Sequence, residues 1–239
     1  MSLLANQKVK VSVIIPTLNE EDNILTCIYA ARRDYTSQEV EIILVDGGSH
    51  DKSCEIIPHG VTIIQTQARR ATQMNAGAAQ AGGEVFLFCH ADTHLPGGWH
   101  EAVIEALGEP QVSGGVFQSQ FEPAVGILKW RNSIIFPEKW WLMYGAQCQF
   151  TRRTTFEDID GFPDIPLMED VEMARALSKR GKVVRIKKRA ITSSRRLIEK
   201  GIIKITVKNI LRVIGYLHFG ISAEEIAKGY RSSREEQNG

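Results

Sequence analysis

The chain has 239 residues, 43% hydrophobic and 24% charged, a balance that excludes a disordered polypeptide and a membrane-spanning bundle. Its 29 Lys and Arg against 28 Asp and Glu leave a formal charge of +1, which removes the cation excess on which nucleic-acid binding depends. Cysteines at 27, 54, 89 and 148 form no C-x-x-C pair, so free thiols in a reducing, cytoplasmic setting are expected, and the short apolar N-terminal run, broken by Pro16, reads as neither leader nor anchor.

In chain order, the β-branched run 11–16 predicts a strand buried on both faces. A helix is expected over 21–33, with Asn19 at its N-cap and acids in its first turn. A second buried strand over 41–45 stops at Gly47-Gly48, followed by a short helical piece over 51–57 and a strand over 61–65. The Ala-rich segment 70–81 predicts a helix ended by Gly82-Gly83, and 84–89 a fourth strand. Such alternation indicates a doubly wound, mostly parallel α/β sheet with flanking helices, whose ligands lie beyond the carboxyl ends of the strands. The second half is less regular. Strands are expected over 115–121, 147–151 and 182–186, an apolar Trp-rich segment over 124–141 and a helix over 168–179. No repeat or linker separates the halves, so the chain reads as one domain over 1–194 with a basic helical tail over 195–239 belonging to it.

Three acidic motifs stand at strand or helix ends. Asp46-Gly47-Gly48-Ser49 follows the second strand, where two glycines leave room for a ligand to approach the backbone; as a plain turn it would need no ligand. Cys89-His90-Ala91-Asp92-Thr93-His94 follows the fourth. If it stays extended, residues 90, 92 and 94 share one face, and the three side chains read either as a transition-metal site of a hydrolase or, through Asp92 alone, as an anchor for a hard cation. Glu169-Asp170 opens a helix, where carboxylates either complement the helix dipole or supply a general base.

Taken in order, these motifs resemble the family 2 glycosyltransferases, whose fold is called GT-A. The resemblance spans about 11–182 and is carried by Val13-Ile14-Ile15-Pro16-Thr17-Leu18-Asn19-Glu20, the Asp46 turn, Asn75-Ala76-Gly77 and His90-Ala91-Asp92. It continues through Arg152-Arg153, Gly161-Phe162, Glu169-Asp170 and Arg175-Ala176-Leu177 before Gly181. It implies an inverting, hexosyltransferase-type enzyme with a nucleotide-sugar donor. Pro16, Thr17 and Glu20 would line the nucleotide pocket, Asp46 would accept the N3–H of uridine in a UDP-linked donor, and Arg69 or Arg70 would approach the nucleotide. Asp92 would hold Mg²⁺ or Mn²⁺ as the metal residue of the Asp-x-Asp motif, and Asp170 would be the general base. Two positions depart from the family pattern: Gly47 replaces the second Asp of Asp-Asp-Gly-Ser, and His90 replaces the first Asp of Asp-x-Asp. The resemblance is to a branch with a His-Ala-Asp-Thr form of that motif, and it leaves a nucleotide-sugar-binding protein without turnover as a second alternative to the hydrolase.

In the tail, Lys200, Lys204, Lys208 and Arg212 recur every fourth residue among apolar neighbours. Internal charges, at about 2.5–3.5 kcal/mol each at the bilayer centre, argue against a span. The segment 200–219 reads either as a basic amphipathic helix peripheral to an anionic membrane, suited to a lipid-linked acceptor, or as a helix docked on its own domain or on a second subunit of a homodimer. Trp130, Trp140, Trp141 and Tyr144 read as an apolar acceptor groove or simply as core.

Overall fold

Consecutive β-branched residues produce the two strands at the centre of the chain's first half, β1 (Val11–Thr17) and β2 (Val40–Asp46), which pair in parallel. The computed structural model describes residues 10–235; residues 1–9, read above for a leader, and 236–239, the end of the tail, lie outside them. Beside β1 and β2 run β3 (Thr62–Gln65) and β4 (Val85–Phe88), both parallel. The remaining strands are β5 (Thr93–His94), β6 (Val112–Glu122), β7 (Gln149–Arg152) and β8 (Lys182–Ser193). Together they form one eight-stranded sheet in the order β3-β2-β1-β4-β7-β6-β8-β5. The β6–β8 pair is also parallel, whereas β7 runs antiparallel to both β4 and β6, and β5 antiparallel to β8. The sheet is therefore mostly parallel, as expected, with antiparallel pairing only where β7 or β5 takes part.

Alternate residues of the central strands feed two cores. Val13 and Ile15 pack with α1 (Ile24–Arg32) and α3 (Trp99–Gly108); Ile14 and Val45 pack with α2 (Arg70–Gln80), α5 (Arg153–Asp158) and α6 (Glu169–Arg180). Burial of both faces is what makes these strands continuous apolar runs rather than alternating ones. Several family motifs turn out to serve this packing. A Cβ at Gly77 would stand 2.5 Å from Ile14 and 2.9 Å from Val45, so only glycine lets α2 lie this close to the sheet. Asn75 exchanges two hydrogen bonds with the Phe162 backbone, at 2.8 and 3.0 Å. Arg152 donates to the Leu107 and Glu109 carbonyls at the end of α3, and Arg153 to the Ala81 and Gly83 carbonyls just after α2, satisfying carbonyls that have no intrahelical donor.

Three expected elements differ. The helix over 21–33 begins only at Ile24 and has no acid in its first turn. Asn19 takes a left-handed backbone, φ 53°, and its side chain accepts the His50 amide rather than capping α1, so residues 20–23 turn first. The piece over 51–57 is a series of turns, because Pro58 disfavours helix at Ile57 and Asp51 accepts the Ser53 and Glu21 amides instead. The strand expected over 182–186 runs to Ser193: Phe117 pairs with Ile186 but Gln118 with Arg189, so Lys187 and Lys188 bulge out and the pairing resumes beyond them.

The Trp-rich segment becomes α4 (Ile127–Ser133) and a single 3-10 turn at Trp140–Leu142. The chain ends in α7 (Arg195–Glu199), α8 (Ile202–His218) and α9 (Ala223–Glu235). Val213 and Ile226 from this tail pack with Met168 and Val171, at and just after the start of α6. No helix among the described residues is long and apolar enough to cross a membrane.

Candidate active site

Parallel strands deliver their carboxyl ends to one edge, and there β1, β2 and β4 bring together the motifs read from the sequence. Thr17 and Asp46 are adjacent register partners at the ends of β1 and β2. Both are buried; Thr17 back-bonds through its hydroxyl to the Ile15 carbonyl, while Pro16 is half-buried. The Asp46 carboxylate folds its own turn, accepting the Gly48 amide at 3.0 Å, the Ser49 amide and the Ser49 hydroxyl at 2.5 Å. The Ser49 amide is shared between both oxygens and the Cys54 thiol is bonded to the same carboxylate, so the turn itself fills its roughly four acceptor positions. Gly47 has a local reason: a Cβ there would lie 3.0 Å from the Ala68 backbone and 3.2 Å from the Gln73 side chain. The Gln73 amide in turn donates to the carbonyls of Thr17 and Val45, fixing both strand ends to α2.

Glu20 is buried in the β1–α1 turn, its amide bonded to the Ser53 hydroxyl. One carboxylate oxygen accepts Asn23; the other pairs with Arg196 of α7 at 2.5 Å, while Arg195 pairs with Asp22 at 2.9 Å. The end of the long strand β8 therefore brings the tail to the β1–α1 turn, at the carboxyl edge of the sheet. Arg196 was read only as the start of a basic tail. A pair of arginines directly after the Ser193-Ser194 end of a strand was the signal available in the sequence.

The structure separates Arg69 from Arg70. Arg69 pairs with the exposed Asp164 at 3.2 Å, whereas Arg70, opening α2, faces the buried Glu169 at 3.5 Å. Arg70 and Arg196 both act on His90. Burial first, then these two cations, hold its imidazole down at about 4 against the pull of Asp92, so the ring is neutral near pH 7. Two cationic side chains and Asp92 thus converge at the end of β4.

The extended reading of 90–94 does not hold. Thr93 donates its amide to the His90 carbonyl at 2.9 Å, so the chain turns at 91–92, and Thr93 then enters β5 with its hydroxyl 3.1 Å from that of Thr192. The turn breaks the alternation that would have put 90, 92 and 94 on one face. Among the described residues no group of three His, Cys, Asp or Glu side chains could hold a metal ion, which removes the His90/Asp92/His94 hydrolase centre. Asp92 is half-buried, and its carboxylate is touched within its own segment by the Thr93 hydroxyl at 3.3 Å. One carboxylate fits a hard cation that arrives with phosphate oxygens and keeps its water, not a resident ion held by protein alone.

On the other side of Arg70 lies a cavity of about 590 Å³ between α4, α8 and the start of α6. Its wall is mainly apolar, and its only acids are Glu169 and Asp170. Asp170 is held by two amides, Gly145 at 2.5 Å on one oxygen and Val171 at 2.8 Å on the other. Buried Glu169 is pushed up to about 7 by desolvation and by the Asp170 charge, with Arg70 opposing. At neutral pH the pair therefore holds less than two full negative charges, and Asp170 is the half-exposed member that borders the cavity. Of the four aromatics singled out, Trp130 and Tyr144 line this cavity; Trp140 is partly buried against Met168 and Val171, and Trp141 stacks edge-on to it.

The sequence model of Glycosyl transferase family 2 matches residues 12–163. Glycosyltransferase AglE of Haloferax volcanii is 31% identical over 118 residues, 44% of this chain and 39% of that protein. The undecaprenyl-phosphate 4-deoxy-4-formamido-L-arabinose transferase of Photorhabdus laumondii is 36% identical over 99 residues, 36% of this chain and 30% of that protein. The matches thus span well under half the length of these curated relatives. Among solved structures, S. aureus TarS 1-349 in complex with UDP superposes with a TM-score of 0.63 at 17% identity, covering 91% of this chain and 68% of that one. The mannosyltransferase PcManGT from Pyrobaculum calidifontis, in complex with GDP-Man and Mn²⁺, gives 0.57 at 20% identity, covering 78% and 57%. These two likenesses bear on the fold, which is of the GT-A type.

Proposed function

The chain belongs to glycosyl transferase family 2, and from that membership we propose that it transfers a hexosyl-type sugar from a UDP-linked donor to a hydroxyl acceptor with inversion, using Asp170 as general base. The observation that carries this reading is the position of Arg70. It acts on His90 at the end of β4, pairs with Glu169 and lines the cavity whose wall includes Asp170.

The nucleotide occupies the strand ends. Pro16, Thr17 and Glu20 border it, and Asp46 exchanges one of the donors of its own turn for the N3–H of uracil. Asp92 would hold Mg²⁺ or Mn²⁺, and a cation bound there would supply charge neutralisation for the leaving diphosphate. Arg70 and Arg196 add two fixed positive charges at the same place, a form of preorganised electrostatic stabilisation. That PcManGT is described with GDP-Man and Mn²⁺, and TarS with UDP, supports a nucleotide-sugar donor with a divalent ion.

Asp170, oriented by the Gly145 and Val171 amides, takes the proton of the acceptor hydroxyl. The freed oxygen forms a bond to the anomeric carbon as the bond to the diphosphate breaks, and the nucleoside diphosphate departs with that electron pair. One displacement inverts the anomeric centre and needs only one carboxylate, whereas retention would need a second as nucleophile. Glu169, only partly ionised near neutrality, buried and paired with Arg70, is ill suited to that second role. A lipid-linked acceptor is supported by relatives named for transfer to undecaprenyl phosphate and dolichyl-linked sugar.

Calorimetry with UDP, GDP and their sugars, with and without Mn²⁺, tests the reading. Micromolar, metal-enhanced UDP binding is expected. No affinity for any nucleoside diphosphate would end it.

A further inference from the structure

The same cavity has an outer rim that no part of the catalytic chemistry uses. Along α8, Ile203, Val207, Ile210 and Ile214 repeat at i, i+4, i+7 and i+11, one face of the helix. That face is not buried against the domain: Ile203 is 66% exposed, and Val207, Ile210 and Ile214 are exposed too. Facing them across the opening, α4 presents Ile127 and Trp130, the indole 67% exposed. Ile127, Trp130, Ile203, Val207 and Ile210 all line the cavity as well. Patch and groove are therefore one continuous apolar surface that begins in solvent and includes Asp170 in its wall. An exposed apolar surface of this extent marks a contact with another apolar body.

Charge identifies that body. From Lys200 to Gly220 the chain contains Lys200, Lys204, Lys208, Arg212 and no Asp or Glu. Lys204 and Lys208 continue the helix next to the apolar face, as in helices that lie in the interface of an anionic bilayer. Arg131, also in the cavity wall, keeps its charge but has donors engaged by the protein. Its guanidinium is bonded to the Ser119 carbonyl and hydroxyl at 2.8 and 2.7 Å and lies over the Phe121 and Phe136 rings.

We propose that α4 and α8 form a membrane-docking mouth, seated on an anionic lipid surface, through which the apolar chain of a lipid-borne alcohol enters the groove and brings its hydroxyl to Asp170. This rests on the transferase reading for the identity of Asp170 as base, but the docking itself does not.

The test is co-sedimentation of the full chain with vesicles of phosphatidylcholine alone or mixed with phosphatidylglycerol, at low and high salt. Wild type is expected to bind the mixed vesicles and release with salt, and Lys204→Gln with Lys208→Gln to weaken binding by about tenfold to thirtyfold. A second measurement uses lipids brominated on the acyl chain and a Trp140→Phe, Trp141→Phe variant, which leaves Trp130 beside the fully buried Trp99. Quenching of Trp130 by chain bromine is expected. Wild type that ignores anionic vesicles overturns the proposal, and so does vesicle binding without quenching, which would mean headgroup contact only. UDP affinity measured on the same preparation separates the two readings: lost UDP binding with retained docking would condemn the donor assignment, not the docking surface.

Discussion

Arg70 and Glu169 face each other at 3.5 Å, joining α2, which packs on β1 and β2, to α6, which opens with Glu169 and Asp170. Because Glu169 is buried and its neighbour Asp170 is an acid, this ion pair does not keep the Glu169 carboxyl fully ionised near pH 7. Asp170, half-exposed where Glu169 is buried, is the carboxyl group the cavity can reach.

A pH dependence of stability follows. The Glu169 carboxyl is raised from 4.5 to about 7 in the folded protein, so folding favours its protonated form. That contribution is complete below about pH 4.5 and is lost as pH rises through about 7, a few kcal/mol at roughly 1.4 per unit of pKa. Thermal unfolding from pH 4.5 to 8 should therefore show wild type falling relative to Glu169→Gln. Parallel curves for the two proteins would mean that Glu169 is ionised throughout.

Arg196 reaches the site from the tail, anchored by Glu20 at 2.5 Å. If it meets the diphosphate, Arg196→Ala should weaken UDP binding by roughly tenfold to a hundredfold, the value of one charge-assisted hydrogen bond, with Arg196→Lys recovering part of the loss. Calorimetry reads this directly. Unchanged affinity would reduce Arg196 to a clamp on Glu20.

Asp92 is the carboxylate that the turn at 91–92 presents at the end of β4. Asp92→Asn should abolish the gain in UDP affinity on adding Mn²⁺ while leaving metal-free binding nearly unchanged. His90→Ala should keep most of the gain, since imidazole is a poor ligand for hard cations. Equal metal enhancement in wild type and Asp92→Asn would move the cation elsewhere.

Gly77→Ala tests the close seating of α2. The added methyl would stand 2.5 Å from Ile14 and must displace it or the helix. Even after a helix-propensity gain of up to about 1 kcal/mol, a net loss of about 1–3 kcal/mol is expected, a fall of several degrees in Tm. A variant as stable as wild type would show that the contact relaxes freely.

Strands β1, β2 and β4 were legible because burial on both faces favours near-continuous apolar runs such as Val13-Ile14-Ile15. The end of β8 was not, since Lys187-Lys188 interrupts the apolar pattern just where the strand bulges. The start of α1 was misread because acids after Asn19 fit a helix N-terminus, whereas the Asn19 side chain is drawn to His50 by a pairing distant in sequence. Within the site, Asp46, Asp92 and the Glu169-Asp170 pair were readable from their places at strand and helix ends. The part played by Arg196, and the cavity walled by α4 and α8, depend on how the tail packs on Met168 and Val171, and no local periodicity encodes that.

The central claim, that Asp170 is the base of the transfer, is tested by the rate at which nucleoside diphosphate is released from a bound UDP-sugar, water standing in for the acceptor hydroxyl. Asp170→Asn should retain the Gly145 contact as an acceptor but cannot take a proton. The account predicts a rate lower by roughly 10²–10⁴ with donor affinity within about twofold of wild type. An Asp170→Asn protein that releases nucleoside diphosphate at the wild-type rate would contradict it.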